Sequence, residues 1–95
     1  MRFEWDAIKA ASNLNKHGVF FPEATTVFGD PFELTIPDPD HSEQEQRFLS
    51  VEMSAGSRLL LIAYTERGST IRIIHARTAA PKERRAYDAG KTTKD

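Results

Sequence analysis

The 95-residue sequence contains no cysteine. That excludes disulfides and thiolate metal sites and fits a reducing compartment. It also lacks any apolar run near the ~18 residues a membrane-spanning helix requires. The first ten residues, MRFEWDAIKA, carry Glu4 and Asp6 and have no apolar stretch of the kind a signal peptide needs. A cytoplasmic location is therefore expected. What remains is enough for one domain, with 39% hydrophobic residues to build one modest core.

Net charge is −1, but it is unevenly spread. Residues 1–46 hold three Lys/Arg against nine acids, and residues 47–95 hold ten Lys/Arg against five acids. A basic half can serve a nucleic acid or an acidic protein. Equally, the two halves can neutralise each other across the fold. The basic residues concentrate in TIRIIHARTAAPKERRAY, Thr70–Tyr87, which carries Arg72, Arg77, Lys82, Arg84 and Arg85 together with His75. A strand that is half apolar and half cationic suits an anionic partner.

Taken in order, Arg2–Trp5 predicts a short strand with Phe3 and Trp5 on one face. Asp6 is placed to cap a helix from Ala7 to about His17, stopped by Gly18. Its apolar stripe is expected to be Ala7, Ala10, Ala11 and Leu14, with Ile8 at the edge and Lys9, Ser12 and Lys16 on the other side. Lys16 and His17 complement the negative end of the helix dipole, for about 0.3–1 kcal/mol each. Pro22 is suited to open a second helix with Phe21, Ala24, Val27 and Phe28 inward. Phe32–Ile36 alternates as a strand with Phe32, Leu34 and Ile36 buried. The loop Pro37–Gln46 carries Asp38, Asp40, His41, Glu43 and Glu45, but lacks the glycine turn and ligand spacing of a calcium loop. It is expected to be a solvated acidic loop, and no metal or cofactor is expected anywhere.

Arg47–Met53 predicts a strand with Arg47, Leu49, Val51 and Met53 on one face. Leu59–Thr65 is apolar on both parities, as a central strand would be. Thr70–Thr78 follows a tight turn, with Ile71, Ile73, His75 and Arg77 sharing one parity. Pro81 opens a last helix to Tyr87 or Asp88, capped by Gly90, and residues 91–95 are expected to form a flexible tail after a single domain of residues 1–90. The expected fold class is α+β: a short N-terminal strand, two helices, an antiparallel meander of four strands, and a closing helix. One sheet face takes the helices, and the other is left for solvent or a ligand.

Several of these stretches together resemble one family. They are FEWD at Phe3–Asp6, NLNKHGVFF at Asn13–Phe21, EATTVFGDP at Glu23–Pro31, RIIHAR at Arg72–Arg77 and ERRAY at Glu83–Tyr87. In this order and spacing they are similar to the BrnT-type toxins, ribonucleases of bacterial type II toxin–antitoxin pairs with a RelE-like fold. The resemblance implies metal-independent cleavage of messenger RNA and inhibited translation. It also implies neutralisation by a ribbon-helix-helix antitoxin, with operator DNA reached only through that partner. The family's KH pair falls on Lys16 and His17, its E-x-R on Glu45 and Arg47, its R-I-I-S-A-R on Arg72 and Arg77, and its E-R-x-x-Y on Glu83, Arg84 and Tyr87. The serine position holds His75 here, so either that position is dispensable or this chain has an extra imidazole in its site.

RNA cleavage needs a base for the 2′-hydroxyl, cations for the phosphorane and an acid for the leaving 5′-oxygen. His17 is the first acid/base candidate, with His75 and Glu45 as others. Arg47, Arg72, Arg77 and Lys16 would supply positive charge. Tyr87 could stack on a base, and Arg84 could bind phosphate. Each has a plainer reading as well. Arg47 and Arg77 could be ordinary surface ion pairs, Arg84 could pair with Asp88, and Tyr87 could anchor the last helix in the core. A module that keeps the fold and the antitoxin contact but has lost cleavage is the alternative function.

Overall fold

The computed structural model describes residues 1–38 and 45–93, with side chains through residue 90. Five strands form one sheet in the order β1-β5-β4-β3-β2. They are β1 (Arg2–Glu4), β2 (Leu34–Pro37), β3 (Arg47–Met53), β4 (Leu59–Arg67) and β5 (Thr70–Thr78). The helices are α1 (Ala7–His17), α2 (Phe21–Thr25), which runs on into a 3-10 turn at Thr26–Gly29, and α3 (Pro81–Thr93). The class is α+β, and β2 to β5 form the expected antiparallel meander. β1, however, pairs parallel with β5, so the sheet is mixed. Three residues carry no signal for their partner, and a strand joined to the sheet through every other element is free to run either way.

Helix α1 starts where the sequence says it should. The Asp6 carboxylate accepts from the amides of Ile8 (2.8 Å) and Lys9 (3.1 Å), satisfying donors that the first turn leaves open. Gly18 ends the helix in the left-handed region, φ +69°. The inward stripe differs from the expected one. Ala10, Asn13, Leu14 and His17 turn toward the protein, while Ala7, Ala11 and Ile8 are exposed. Asn13 decides this. Its amide nitrogen donates to the carbonyls of Ala76 (2.8 Å) and Val19 (3.2 Å), and its oxygen accepts from the Ala76 amide (3.1 Å). β1 covers β5 only from Thr70 to Arg72. Beyond it, Asn13 takes the place of a neighbouring strand at an otherwise open edge.

The first core lies between α1, α2, the 3-10 turn and the sheet. It holds Val19, Phe21, Ala24, Val27, Leu60, Ile62, Tyr64, Ile71, Ile73 and Ala76, with Phe3, Trp5 and Phe48 packed against it. β4 is buried from Leu59 to Thr65, as its two-sided apolarity requires. A second, smaller core holds Val51, Leu59, Leu61 and Tyr87 beneath α3. Helices therefore pack on both faces, not one. α3 covers part of the face expected to be open and continues through Gly90, which does not cap it. α2 is short, with Phe21 rather than Pro22 as its first residue.

β2 is the far edge strand, and all four of its residues are exposed. Leu34 and Ile36 were expected to be buried; they are 37% and 52% exposed. Only Phe32, before the strand, packs inward. The other unusual group is Glu52 of β3, which is fully buried. Neither of its oxygens has a hydrogen-bond partner, and burial pushes its carboxyl up to about 8, reinforced by the charges of Glu33 and Asp30.

Candidate active site

The cationic stretch does not alternate simply. β5 carries a bulge opposite Ala63/Tyr64: Tyr64 pairs with Ile73 and Ala63 with His75, leaving Ile74 as the extra residue. A bulge shifts parity. Ile71 and Ile73 therefore stay in the first core and Ala76 joins them. Arg72, His75 and Arg77 share the opposite face, where the sequence pattern had separated Arg72 from the other two. Cross-strand partners share a face, so three rows line up across β3, β4 and β5. They are Arg47–Thr65–Arg72, Leu49–Ala63–His75 and Val51–Leu61–Arg77.

His17, the last residue of α1, meets this face from the side. Its ring lies edge-on to that of His75, centroids 4.8 Å apart and planes at 85°. The two imidazoles come from positions 58 residues apart in the chain, and the Asn13 clamp on Ala76 is what holds α1 at this height. The His75 pKa is lowered, first by burial and then by the positive charges of His17, Arg77, Lys16 and Arg47. His75 is thus the point on which the predicted cations converge. A cleft of about 220 Å³ opens beside the pair, lined by Lys9, Ser12, Asn13, Lys16, His17, Ile74 and His75.

Carboxylates fix several of the arginines. Both terminal nitrogens of Arg77 donate to Glu83, at 2.9 and 2.7 Å. This raises the Arg77 pKa and lowers that of Glu83. Glu83 also accepts from the Ala80 amide (2.8 Å), the backward reach of a capping box at the start of α3. Arg72 donates to Glu4 at 2.6 Å, its cross-strand neighbour on β1. Glu45 is bound by Arg67 through two bonds of 2.7 and 3.0 Å, and that contact holds its carboxyl below the usual range.

The structure therefore gathers His17, His75, Lys16, Arg47 and Arg77, with Arg72 two strands from Arg47 in the same row. Glu45 is placed as the partner of Arg67 at the surface. Arg84 is exposed on α3. Tyr87 is buried, and its hydroxyl donates to Asp30 at 2.6 Å. Burial first, and then that contact, raise its pKa. Its surroundings are those of an anchor for α3, with no face open for stacking on a base. Sequence reasoning did not assign a role to Lys9 or Ser12. Their signal was the i, i+3, i+7 spacing with Lys16, which puts all three on one helix face. Among the described residues no cluster of three or more His, Asp or Glu could hold a metal ion. Asp40, His41 and Glu43 of the acidic loop lie outside the described residues. No helix among the described residues is long and apolar enough to cross a membrane.

Residues 5–83 match the family described as the ribonuclease toxin BrnT of type II toxin–antitoxin systems. Among solved structures, the chain is similar to the 1.1 Å crystal structure of the Brucella abortus ribonuclease toxin BrnT, with a TM-score of 0.62 and 20% identity over 84% of this chain and 97% of that one. No curated protein matches the chain.

Proposed function

The chain belongs to the BrnT family of ribonuclease toxins of type II toxin–antitoxin systems, and from that premise we propose that it cleaves RNA with His75 as base and His17 as acid in a field of Arg47, Arg72, Arg77 and Lys16, with no metal taking part. The observation that carries this reading is the contact of the two rings, 4.8 Å between centroids, at the centre of the cation cluster. A depressed pKa keeps His75 neutral near pH 7, the form that accepts a proton. His75 takes the proton of the 2′-hydroxyl as that oxygen attacks phosphorus. The cations offset the charge growing on the phosphorane. His17 gives a proton to the departing 5′-oxygen. The products are a 2′,3′-cyclic phosphate and a free 5′-hydroxyl, and the enzyme recovers its starting state when the two rings exchange that proton through solvent. The carboxylates that hold Arg72 and Arg77 do not exhaust them, since each guanidinium has five N–H donors.

In this reading the substrate is messenger RNA, translation is what fails, and the type II antitoxin partner is a ribbon-helix-helix protein that carries the complex to operator DNA. Glu45 and Tyr87 act by positioning, through Arg67 and Asp30, and Arg84 makes a peripheral phosphate contact. The test is cleavage of RNA by purified protein in EDTA. Persistent activity is expected, with His17→Ala and His75→Ala each falling about 10²–10⁴-fold, the usual worth of general acid–base catalysis. Activity that returns only with added divalent ions, or a fully active His75→Ala protein, would overturn the mechanism. A folded, antitoxin-binding but inactive wild-type protein would instead favour the regulatory module.

A further inference from the structure

We infer that the cleft between α1 and β5 is a phosphate subsite in which Lys9, with Ser12, holds a phosphate that neighbours the scissile one, while Lys16 links this subsite to the reacting phosphate. The inference rests on the ribonuclease reading above and extends the site along the RNA.

The cleft is bounded on one side by α1 and on the other by Ile74 and His75 of β5. Its floor is fixed, because Asn13 spends its amide on Ala76 and Val19 and forms wall rather than ligand. The bulge leaves Ile74 as the unpaired residue that lines the wall. No carboxylate lines it. Lys9, Ser12 and Lys16 share a helix face, and seven residues carry Lys9 about 10 Å along the axis from Lys16. Lys16 stands at the imidazole pair, so Lys9 reaches past the reacting phosphate and not onto it.

The state of these charges sets them apart. Arg58, Arg67, Arg72 and Arg77 are all bound to carboxylates at 2.5–2.9 Å. Among the described residues neither Lys9 nor Lys16 forms an ion pair. Lys9 feels the Asp6 carboxylate at longer range, but two ammonium groups without an ion-pair partner beside a cleft still raise the local anion concentration. Flexible lysines suit a neighbouring phosphate, which needs attraction without the fixed fork geometry that chemistry at the scissile one requires. The hydroxyl of Ser12 is a third donor on the same face.

The experiment uses the intact chain and fully 2′-O-methylated oligouridylates of two, three and six nucleotides, which cannot be cleaved. Binding is followed by NMR titration of the backbone amides across a salt series. The wild type is expected to gain affinity sharply from two to three nucleotides, and Lys9→Ala to lose most of that gain. The slope of log affinity against log salt should shrink by about 0.7, the share of one single-strand phosphate. Lys82→Ala, on α3, serves as control and should match the wild type. Lys9→Ala with the wild-type length dependence and salt slope would overturn the subsite. So would a loss of antitoxin affinity with unchanged RNA binding, which would give the cleft to the protein partner. Wild-type protein that binds these oligonucleotides but leaves ordinary RNA intact would sink the ribonuclease reading while the subsite still stands on its slope.

Discussion

Glu52 is fully buried on β3 and neither of its oxygens meets a donor. The nearby Ser50 hydroxyl pairs with Thr35 across the β2–β3 ladder, and its influence on the carboxyl opposes the upward shift but is outweighed by burial. An ionised carboxylate in such a place is too costly, and the group stays protonated to about pH 8. In the unfolded chain it ionises near its ordinary value of 4.5. Between those values the folded state binds the extra proton, so stability falls as pH rises through the window and levels off above it. Glu52→Gln removes the titration. The variant should melt higher than the wild type at pH 8, and the gap should shrink toward pH 5, by on the order of a few kcal/mol in total. The lowered titration of His75 is common to both proteins and cancels in the difference. Melting curves at pH 5 and pH 8 measure this directly, and a gap that does not change with pH would refute it.

Helix α1 does two jobs through one residue. Asn13 supplies the missing ladder partner of Ala76 and thereby sets His17 against His75. Asn13→Ala leaves the Ala76 amide and carbonyl buried without partners, at about 1–3 kcal/mol for each such group. Urea unfolding should show a loss of about 2–6 kcal/mol by that count, and cleavage should drop as well because the imidazole pair loosens. A loss below about 0.5 kcal/mol, the size of an ordinary surface change, would mean that water replaces the amide and the clamp is dispensable. This element also shows where sequence reasoning reached its limit. Caps, stops and apolar runs are local, so Asp6, Gly18 and the buried β4 were legible. A polar residue on the inward face contradicts the apolar-stripe rule, so Asn13 was passed over and Ala7 and Ala11 were taken in its place. The bulge in β5 has no residue signature at all. It moved His75 and Arg77 from the face of Ile71 and Ile73 to that of Arg72, and without it the cations would not have converged. Leu34 and Ile36 alternate like a buried strand, yet an edge strand beyond the reach of the helices leaves them exposed.

At the scale of the whole molecule, the division into an acidic first half and a basic second half turns out to be two things at once. Glu4–Arg72, Glu23–Arg58 and Glu45–Arg67 each join the first half to the second, which is neutralisation across the fold. Those surface pairs contribute little to stability one by one, because solvent screens them. Their larger effect is to offset the positive charge of Arg58 and Arg67 away from the site and to set the direction of Arg72. Lys9, Lys16, His17 and His75 lie outside that arrangement and gather at one cleft. The molecule's net charge of −1 therefore says nothing about how it would meet RNA; the field at the cleft does. Because a free toxin would act on cellular RNA and an antitoxin-bound one would not, induction of this chain alone should arrest bacterial growth and depress bulk translation. Co-expression of its antitoxin should relieve both. Arg77→Ala should abolish the arrest, since it removes a cation acting on His75 and also frees Glu83 to face the site. Glu83→Gln separates these effects: it keeps Arg77 and most of the α3 cap, so arrest should persist if Arg77 acts by its charge. Growth measured at matched expression decides it. Unimpaired growth with wild-type protein accumulating in folded form would refute the toxin activity. Arrest lost in Glu83→Gln as well would show that Arg77 must be held in place by its carboxylate before its charge is of use.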